Sequence, residues 1–300
     1  MLPIKLALGD SFFQEEYREG YLVTSDIKEL WAVELDLLTK FDEVCKKYNI
    51  KYFLAYGTLL GAVRHRGFIP WDDDIDVVIF RDDCDKLLSI SEKEFQDVYL
   101  LQSAYTDKNY MRGHLQLRNT KTCMMLPHEA KVVEFNQGIF LDIFILDGLV
   151  NDVHLLQKQF FEMQNIKRKM HYITYRNAGG FFRKIWRAVR SKFISFTFGD
   201  IKKQYCQFEE IAKRYSDSED VEILMFRNSV QDCVRQKRNW YSDLCFMEFE
   251  GMQFPVPKDY HQILTLCYGK DYMIPKQVPS VHGNIIVSTK YSFLKILQEL

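Results

Sequence analysis

The sequence predicts an α+β fold in which a mixed sheet is flanked by helices and followed by a mostly helical second part. Short apolar runs bounded by glycine and proline, such as Tyr52 to Tyr56 and Val77 to Phe80, are typical of buried strands. Apolar residues between Ser25 and Tyr48 instead keep helical spacing. We therefore expect a sheet-bearing core over residues 1–150, completed by a mostly helical part over residues 151–300.

The elements follow from the spacing of apolar residues and from the turn residues between them. A helix is expected to begin at Ser25, a good N-cap residue, with Trp31 in the core. Phe12 to Tyr21 is expected to form a polar arm or short helix. Tyr52 to Tyr56 reads as a strand, with a glycine turn at Gly57-Thr58. The other expected helices cover 59–64, 81–90, 154–172, 181–196, 201–215 and 257–268, and the other strands cover 74–80, 98–102, 112–118, 138–147 and a ribbon over 239–254.

Composition limits the class of protein. A chain of 300 residues with 47% hydrophobic and 15% aromatic residues can fill a large core. Its net charge of −1 gives no basic field, so we expect no nucleic-acid partner. The seven cysteines contain no C-x-x-C pair, which argues against a zinc site and favours a reducing compartment. With no apolar run of membrane-spanning length and no leader pattern, the expected location is cytoplasmic.

Two aspartates close to each other are the first candidate site. If Asp74 to Phe80 is a strand, its two-residue period puts Asp74 and Asp76 on one face, about 7 Å apart. Neighbouring carboxylates repel, and a hard divalent cation such as Mg²⁺ relieves the repulsion. The Gly57-Thr58 turn and the helix start that follows offer backbone N–H groups and a hydroxyl to a phosphate. The alternative is an exposed acidic turn, Asp72 to Asp74, that is solvated or binds calcium loosely.

A third carboxylate lies in the run from Gly138 to Asp147. Asp142 is the single carboxylate inside this apolar segment, whereas Asp147 is a turn residue at its end, and an unpaired charge inside the strand costs several kcal/mol. Such a residue is functional or is paired with a buried Arg or Lys. The alternation also places Arg118 on a polar strand face, able to reach phosphates or to form a surface ion pair, and Lys121 is a weaker phosphate candidate.

The motif from Gly57 to Asp76, GTLLGAVRHRGFIPWDDDID, resembles the signature of the LicD family. The family includes bacterial phosphorylcholine transferases and is related to the fukutin-type ribitol-phosphate transferases. The resemblance continues through the segments around Asp26 to Trp31, at Gly138 to Gly148 (GIFLDIFILDG), at Phe249 to Gly251 and at Tyr268 to Pro275 (YGKDYMIP).

The resemblance implies a nucleotidyltransferase-like fold and transfer of a phospho-alcohol from CDP-choline or another CDP-alcohol to a glycan. The implied acceptor is a cell-surface glycan, such as lipopolysaccharide, teichoic acid or capsule, or its lipid-linked precursor. The metal would be Mg²⁺ or Mn²⁺. Asp142 would join Asp74 and Asp76 as the third metal ligand or as the base that takes the acceptor proton, and the residues leave both roles open. Arg64, His65 and Arg66 would contact phosphate or acceptor, or be surface residues.

Aromatic side chains near an acid suit a cationic head group such as choline. Candidates are Trp71 with Asp72, and Trp240 and Tyr241 with Glu250; the aromatic residues of the second set could equally belong to the core. His282 is a candidate acceptor contact in a loop.

A basic amphipathic helix is predicted over Phe181 to Phe196. Its apolar residues recur at helical spacing among basic residues, and from Asn165 to Lys203 eleven Lys or Arg residues stand against one acid, Asp200. The helix either lies on an anionic membrane or docks on the core. The candidate membrane contacts are Phe182, Ile185, Trp186, Val189, Arg183, Lys184, Arg187 and Arg190.

The resulting hypothesis is a metal-dependent phosphotransferase at the inner face of the cytoplasmic membrane. One alternative is a nucleotidyltransferase that uses an NTP and releases pyrophosphate. Another is a catalytically silent protein that keeps the fold and binds a glycan or a membrane, although retained paired carboxylates argue against it.

Overall fold

The computed structural model describes residues 2–277 and 285–300. Within these residues the strands are β1 (Glu16–Arg18), β2 (Tyr21–Val23), β3 (Tyr52–Leu54), β4 (Asp76–Phe80), β5 (Tyr99–Gln102), β6 (Leu115–Asn119), β7 (Cys123–Met125), β8 (Ile139–Leu149), β9 (Asp220–Glu222), β10 (Gln236–Lys237), β11 (Leu244–Phe249), β12 (Met252–Pro257) and β13 (Ile286–Ser288). The helices are α1 (Ser25–Tyr48), α2 (Tyr56–His65), α3 (Arg81–Glu94), α4 (Val153–Thr174), α5 (Phe181–Phe198), α6 (Ile201–Ala212), α7 (Tyr260–Tyr268) and α8 (Phe293–Glu299).

The central sheet is organised around β8. Its strand order is β10-β9-β8-β4-β3. Strand β6 pairs with residues 139–143 of β8 and also with β5. Strands β4 and β8 are parallel, whereas the other pairs in the sheet are antiparallel. Every residue of β8 is buried, as expected for a long apolar run covered on both faces. This arrangement confirms the predicted mixed sheet flanked by helices, consistent with a nucleotidyltransferase-like fold.

Helix α1 packs beneath the sheet and occupies the predicted span. The Thr24 hydroxyl accepts the Ile27 N–H at 3.4 Å, so Thr24 rather than Ser25 is the N-cap. The helix ends at Asn49, which adopts a left-handed conformation with φ of 51°. Trp31 is fully buried and stacks on Phe68 with ring centroids 4.4 Å apart, which confirms its predicted place in the core. Burial of one such large apolar side chain contributes about 1.5–3 kcal/mol.

Three local predictions differ from the structure. The arm over 12–21 was expected to be polar or helical, but a short 3-10 turn at Asp10–Phe13 is followed by the β1–β2 hairpin. Gly57 and Thr58 lie in the first turn of α2, not in a separate turn, because the helix begins directly after β3. Strand β4 begins at Asp76, so Asp74 lies in the preceding loop.

The later residues both extend the sheet and form a helical layer. Strands β9 and β10 add to the sheet edge beside β8. Helices α4 and α6 enclose a second apolar core that includes Leu149 at the end of β8. A buried ion pair also joins the layers, because the Arg81 guanidinium contacts Asp147 of β8 and Glu209 of α6. Residues after 150 therefore build one continuous structure with those before it.

Candidate active site

Asp76 and Asp142 are neighbours on the two parallel strands at the centre of the sheet. They are partners in the β4–β8 register, so their side chains leave the same face. Both are buried, with 9% and 8% of their surface exposed. The hydroxyl of Thr58, on α2, accepts the Asp76 N–H at 2.8 Å and fixes the first residue of β4. The register of the two parallel strands therefore brings together two carboxylates that are 66 positions apart in the sequence.

Strand β6 and the residue directly before it supply polar partners for Asp142. The Gln116 side-chain amide donates to Asp142 Oδ1 at 2.6 Å, and His114 Nε2 lies 3.2 Å from the same oxygen. The Arg118 guanidinium donates to Gln116 Oε1 at 2.6 Å, which turns the Gln116 NH₂ group toward Asp142. Burial raises the pKa of Asp142, but the charge and hydrogen bond of His114 and the hydrogen bond of Gln116 outweigh it, so the pKa is lowered.

Asp76 has the opposite electrostatic environment. Burial raises its pKa well above the usual value, and the charges of Asp74, Asp142 and Asp72 raise it further. The surroundings therefore favour the ionised form of Asp142 and disfavour the ionised form of Asp76, although the two residues lie side by side. This accumulation of carboxylates is unfavourable unless positive charge is added.

The loop before β4 carries the other acids of the site. Ligand oxygens of Asp72, Asp73 and Asp74 all lie within 4.8 Å of one another. A Cβ at Gly57 would lie 2.5 Å from Asp72 Oδ2, so glycine permits the first turn of α2 to approach this loop. The loop therefore brings carboxylate oxygens together beside the helix start.

Glu34 provides a test of whether these residues fit a cation. Its side chain is fully buried, and among the described residues neither of its carboxylate oxygens has a hydrogen-bond partner. It follows Trp31 by one helical turn on α1, and the Trp31 indole donates to the Asp72 carbonyl at 3.0 Å. Burial raises the pKa of Glu34 well above its usual value, and the charges of Asp74 and Asp73 add to the effect. A buried carboxylate beside further carboxylates is an arrangement that a hard divalent cation stabilises, so the residues fit Mg²⁺ or Mn²⁺.

A cavity of about 470 Å³ opens beside the aspartates. Acidic, basic and aromatic side chains share its wall, which therefore offers partners for a metal, for phosphates and for an organic cation. The lining residues are Tyr56, Gly57, Leu60, Arg64, Ile69, Trp71, Asp72, Asp74, Asp76, Tyr268, Asp271, Tyr272, Ile274 and Lys276.

The start of α2 forms one side of this cavity. Tyr56 adopts φ of 43°, uncommon for a bulky residue, where the chain passes from β3 into the helix. The N-cap residue Ala55 has no side chain that can bond the first helical N–H groups. Arg64, a little over two turns after Tyr56, donates to the Tyr272 carbonyl at 2.8 Å and still lines the cavity.

Several predicted phosphate contacts lie outside the cavity wall. His65 contacts Glu19 at 3.1 Å, and Arg66 is exposed as the left-handed residue that ends α2. Lys121 is exposed in the turn after β6. Arg118 is fully buried, and its guanidinium donates to oxygens of Gln102, Gly138 and Gln116, the last of which links it to Asp142.

The second set of predicted head-group contacts, Trp240 and Tyr241 with Glu250, also lies outside the cavity wall. Tyr241 is buried against Phe53 and Phe80, and Trp240 packs beside the same core. Glu250 is bonded to Arg18 in two-point fashion, at 2.5 and 3.0 Å, and accepts the Phe68 N–H at 3.1 Å. 

Two further predictions concern other regions. His282 lies outside the described residues. The candidate membrane contacts lie on α5, none of them in the cavity wall.

Sequence reasoning missed several residues of the site. His114, directly before β6, and Gln116 alternate with apolar residues as Arg118 does, so the pattern that identified Arg118 could have identified them as well. Glu34 could have been noticed as an acid within the buried stripe of α1. Sequence reasoning also did not assign the YGKDYMIP segment to the cavity, although its Tyr268 and Tyr272, and Lys276 directly after it, line the wall. Their position depends on how the chain after α7 folds back, which spacing alone does not give.

Comparisons with known proteins place the chain among related sequences. Residues 49–141 match the domain family described as LicD/FKTN/FKRP, nucleotidyltransferase domain. The chain is 29% identical over 247 residues to the lipopolysaccharide cholinephosphotransferase LicD of Haemophilus influenzae, covering 82% of this chain and 91% of that protein. A 47-residue stretch is 43% identical to the human ribitol 5-phosphate transferase FKRP, covering 15% of this chain and 10% of that protein. The predicted resemblance to the LicD family is confirmed.

Proposed function

We propose that this chain, whose residues 49–141 form a LicD-family nucleotidyltransferase domain, transfers phosphocholine or a related phospho-alcohol from a CDP-linked donor to a glycan hydroxyl. The observation that carries the proposal is the register pairing of Asp76 with Asp142 beside a cavity that also contains Asp72 and Asp74. A phosphotransferase needs such a carboxylate cluster, whereas a glycan- or membrane-binding protein does not.

The carboxylates of Asp74, Asp76 and Asp142 would hold Mg²⁺ or Mn²⁺, with Asp72 and Glu34 close by. When bound, the ion supplies positive charge against the phosphate oxygens of the donor. His114 and Gln116 contact Asp142 Oδ1 and so fix its side chain. The Thr58 hydroxyl accepts the backbone N–H of Asp76. These contacts fix the oxygens before the donor arrives, which reduces reorganisation during the reaction.

Among the described residues that line the cavity, Arg64 and Lys276 are cations, and both suit the donor phosphates. Lys276 is paired with Asp271 and exposed, so it can change partner when an anion enters. The start of α2 adds its N-terminal dipole beside Gly57. Phosphate binding is therefore assigned to Arg64, Lys276 and the first turn of α2 rather than to Arg118 or Lys121.

The reaction forms one bond and breaks one. The acceptor oxygen attacks the phosphorus that carries the alcohol, and the bond from that phosphorus to the bridging oxygen breaks, so that CMP leaves. The hydroxyl proton passes to solvent. We assign Asp142 as a metal ligand rather than a base, because its donors hold its pKa low and a group of low pKa is a weak base at neutral pH.

Aromatic rings and acids in one wall favour a quaternary ammonium group, and hence choline. Trp71 and Tyr272 line the cavity together with Asp72, replacing the set around Trp240. Similarity to a cholinephosphotransferase that acts on lipopolysaccharide supports the same donor and a glycan acceptor. Similarity to a ribitol 5-phosphate transferase keeps CDP-ribitol in the test.

The experiment measures CMP release from CDP-choline, CDP-ribitol and CDP-glycerol with Mg²⁺ and a glycan extract, and pyrophosphate release from CTP and UTP in parallel. Metal-dependent CMP release from CDP-choline supports the proposal. Release from another donor alone would retain the chemistry and change the alcohol. Pyrophosphate without CMP would identify a nucleotidyltransferase instead, and silence in both assays would favour a binding protein.

A further inference from the structure

Helix α5 carries an apolar face that is largely exposed in the described structure. Phe182, Phe193 and Phe196 are 85%, 65% and 92% exposed, and Ile185, Trp186 and Val189 are at least half exposed. Water contact with so many large apolar side chains on one helix is unfavourable, since burial of each would contribute favourable free energy. The predicted alternative, in which this face docks on the core, is therefore not what the structure has.

The opposite face of the same helix attaches it to the protein. Ser191 and Ile194 are the buried residues of α5, and the helix packs against α4 and α6. Arg187 is half-buried, and its guanidinium donates to the Tyr175 carbonyl at 3.1 Å. Arg187 is thus an anchor to the body of the protein, not a membrane contact. The exposed apolar face is held outward by these contacts.

Basic side chains border the exposed face. The helix contains five Lys or Arg residues and no acid from Phe181 to Phe198. Arg183, Lys184 and Lys192 are exposed. Arg190 lies over the rings of Tyr172 and Trp186, at 3.9 and 5.0 Å, which places a positive charge beside the apolar side chains. The face therefore combines aromatic surface with uncompensated positive charge.

We propose that α5 lies in the interface of an anionic lipid membrane, with its apolar face among the acyl chains and its basic side chains at the lipid phosphates. Eighteen residues extend about 27 Å, but the basic residues that interrupt them suit a helix lying along the surface. No helix in residues 2–277 and 285–300 is apolar and long enough to span a bilayer.

Charge distinguishes a lipid surface from a second copy of this chain. In a symmetric dimer through α5, the same basic side chains of both copies would meet, and like charges at close range repel. An anionic membrane instead complements them. The proposal does not depend on the proposed reaction, because it concerns a surface that shares no residue with the cavity wall. If both hold, membrane attachment would bring the cavity to lipid-linked acceptors.

The test measures co-sedimentation of the full chain with two kinds of vesicle. One is phosphatidylcholine alone, and the other contains about 30 mol % phosphatidylglycerol, roughly the anionic share that produces a strong surface potential. We expect binding to the anionic vesicles to be at least about tenfold tighter and to weaken in high salt. The triple variant Phe182→Gln, Trp186→Gln and Phe193→Gln should lose at least about tenfold in binding. The matched control is Phe246→Gln on β11, which removes a 54% exposed phenylalanine elsewhere.

A second variant separates insertion from a change in folding. Trp186→Phe keeps the apolar face, and it should bind anionic vesicles as the wild type does while losing most of the vesicle-induced blue shift in tryptophan emission. Equal vesicle binding by the wild type and the triple variant would overturn the proposal. So would absence of vesicle binding by the wild type, or a wild-type dimer in light scattering that the triple variant abolishes.

Discussion

The buried contact between Arg81, Asp147 and Glu209 gives the sharpest stability prediction. Arg81 Nε and Nη2 donate to the two Asp147 oxygens at 2.8 and 2.7 Å, and Nη1 lies 3.0 Å from Glu209 Oε1. The three side chains are only 6%, 4% and 8% exposed. They join the start of α3, the central strand β8 and helix α6, so the contact ties the sheet to the helical layer that carries α5.

Arg81→Met keeps the length and apolar stem of the side chain but leaves two buried carboxylates without their cation. Removal of one partner from a buried ion pair costs about 3–5 kcal/mol in the free energy of unfolding. Burial raises the pKa of Glu209, against the opposing effects of Tyr105 and Arg81, so loss of Arg81 raises it further. A raised folded-state pKa of an acid destabilises the protein above the unfolded value, about 4.3, and this loss shrinks as pH falls toward it.

Urea unfolding followed by circular dichroism measures the effect at about pH 7.5 and at about pH 5, the second being closer to the unfolded-state pKa of a glutamate. The matched control is Arg214→Met, since Arg214 pairs with Glu162 at 2.5 Å on the surface, with a 40% exposed side chain. We expect the control to lose less than about 1 kcal/mol. A loss in Arg81→Met no greater than in the control, or one that grows as the pH falls, would refute the reasoning.

Three further changes test the site itself. Gly57→Ala places a Cβ 2.5 Å from Asp72 Oδ2 and should lower CMP release at least about tenfold by displacing that carboxylate, as initial rates would reveal. Glu34→Leu removes the buried carboxylate, and it should raise the melting temperature without metal yet weaken Mn²⁺ binding about tenfold in electron paramagnetic resonance titrations. Gln116→Leu removes the 2.6 Å donor to Asp142 and should also weaken Mn²⁺ binding about tenfold. Unchanged rates or affinities would contradict these assignments one by one.

The long periodic elements could be predicted from the sequence because their pattern extends over many residues. Helix α1 has the predicted span, and β8 was recognised from its apolar run around Asp142. Asp142 also stood out because a lone charge in such a strand is costly. Its pairing with Asp76 required the parallel register of β4 and β8, which local spacing does not contain.

Some predicted site residues have partners that the sequence pattern did not indicate, and the reason is a common physical one. Alternation placed Arg118 on a polar face but could not show that this face is enclosed by Gln102 and Gln116. Glu250 looked available beside aromatic residues, yet Arg18, 232 positions earlier, binds it. A side chain's partners depend on contacts between distant parts of the chain, whereas its local pattern reports only which face it occupies.

The most direct test of the central claim is Mg²⁺-dependent CMP release from CDP-choline by the wild type, Asp76→Asn and Asp82→Asn, with the chelator EDTA as reference. Asp82 is an exposed acid on α3, so its variant removes the same charge away from the cavity. We predict release by the wild type and Asp82→Asn that the chelator abolishes, and a loss of at least about 100-fold in a folded Asp76→Asn. CMP release by Asp76→Asn at the wild-type rate would contradict the account. So would CMP release that persists when the chelator is present.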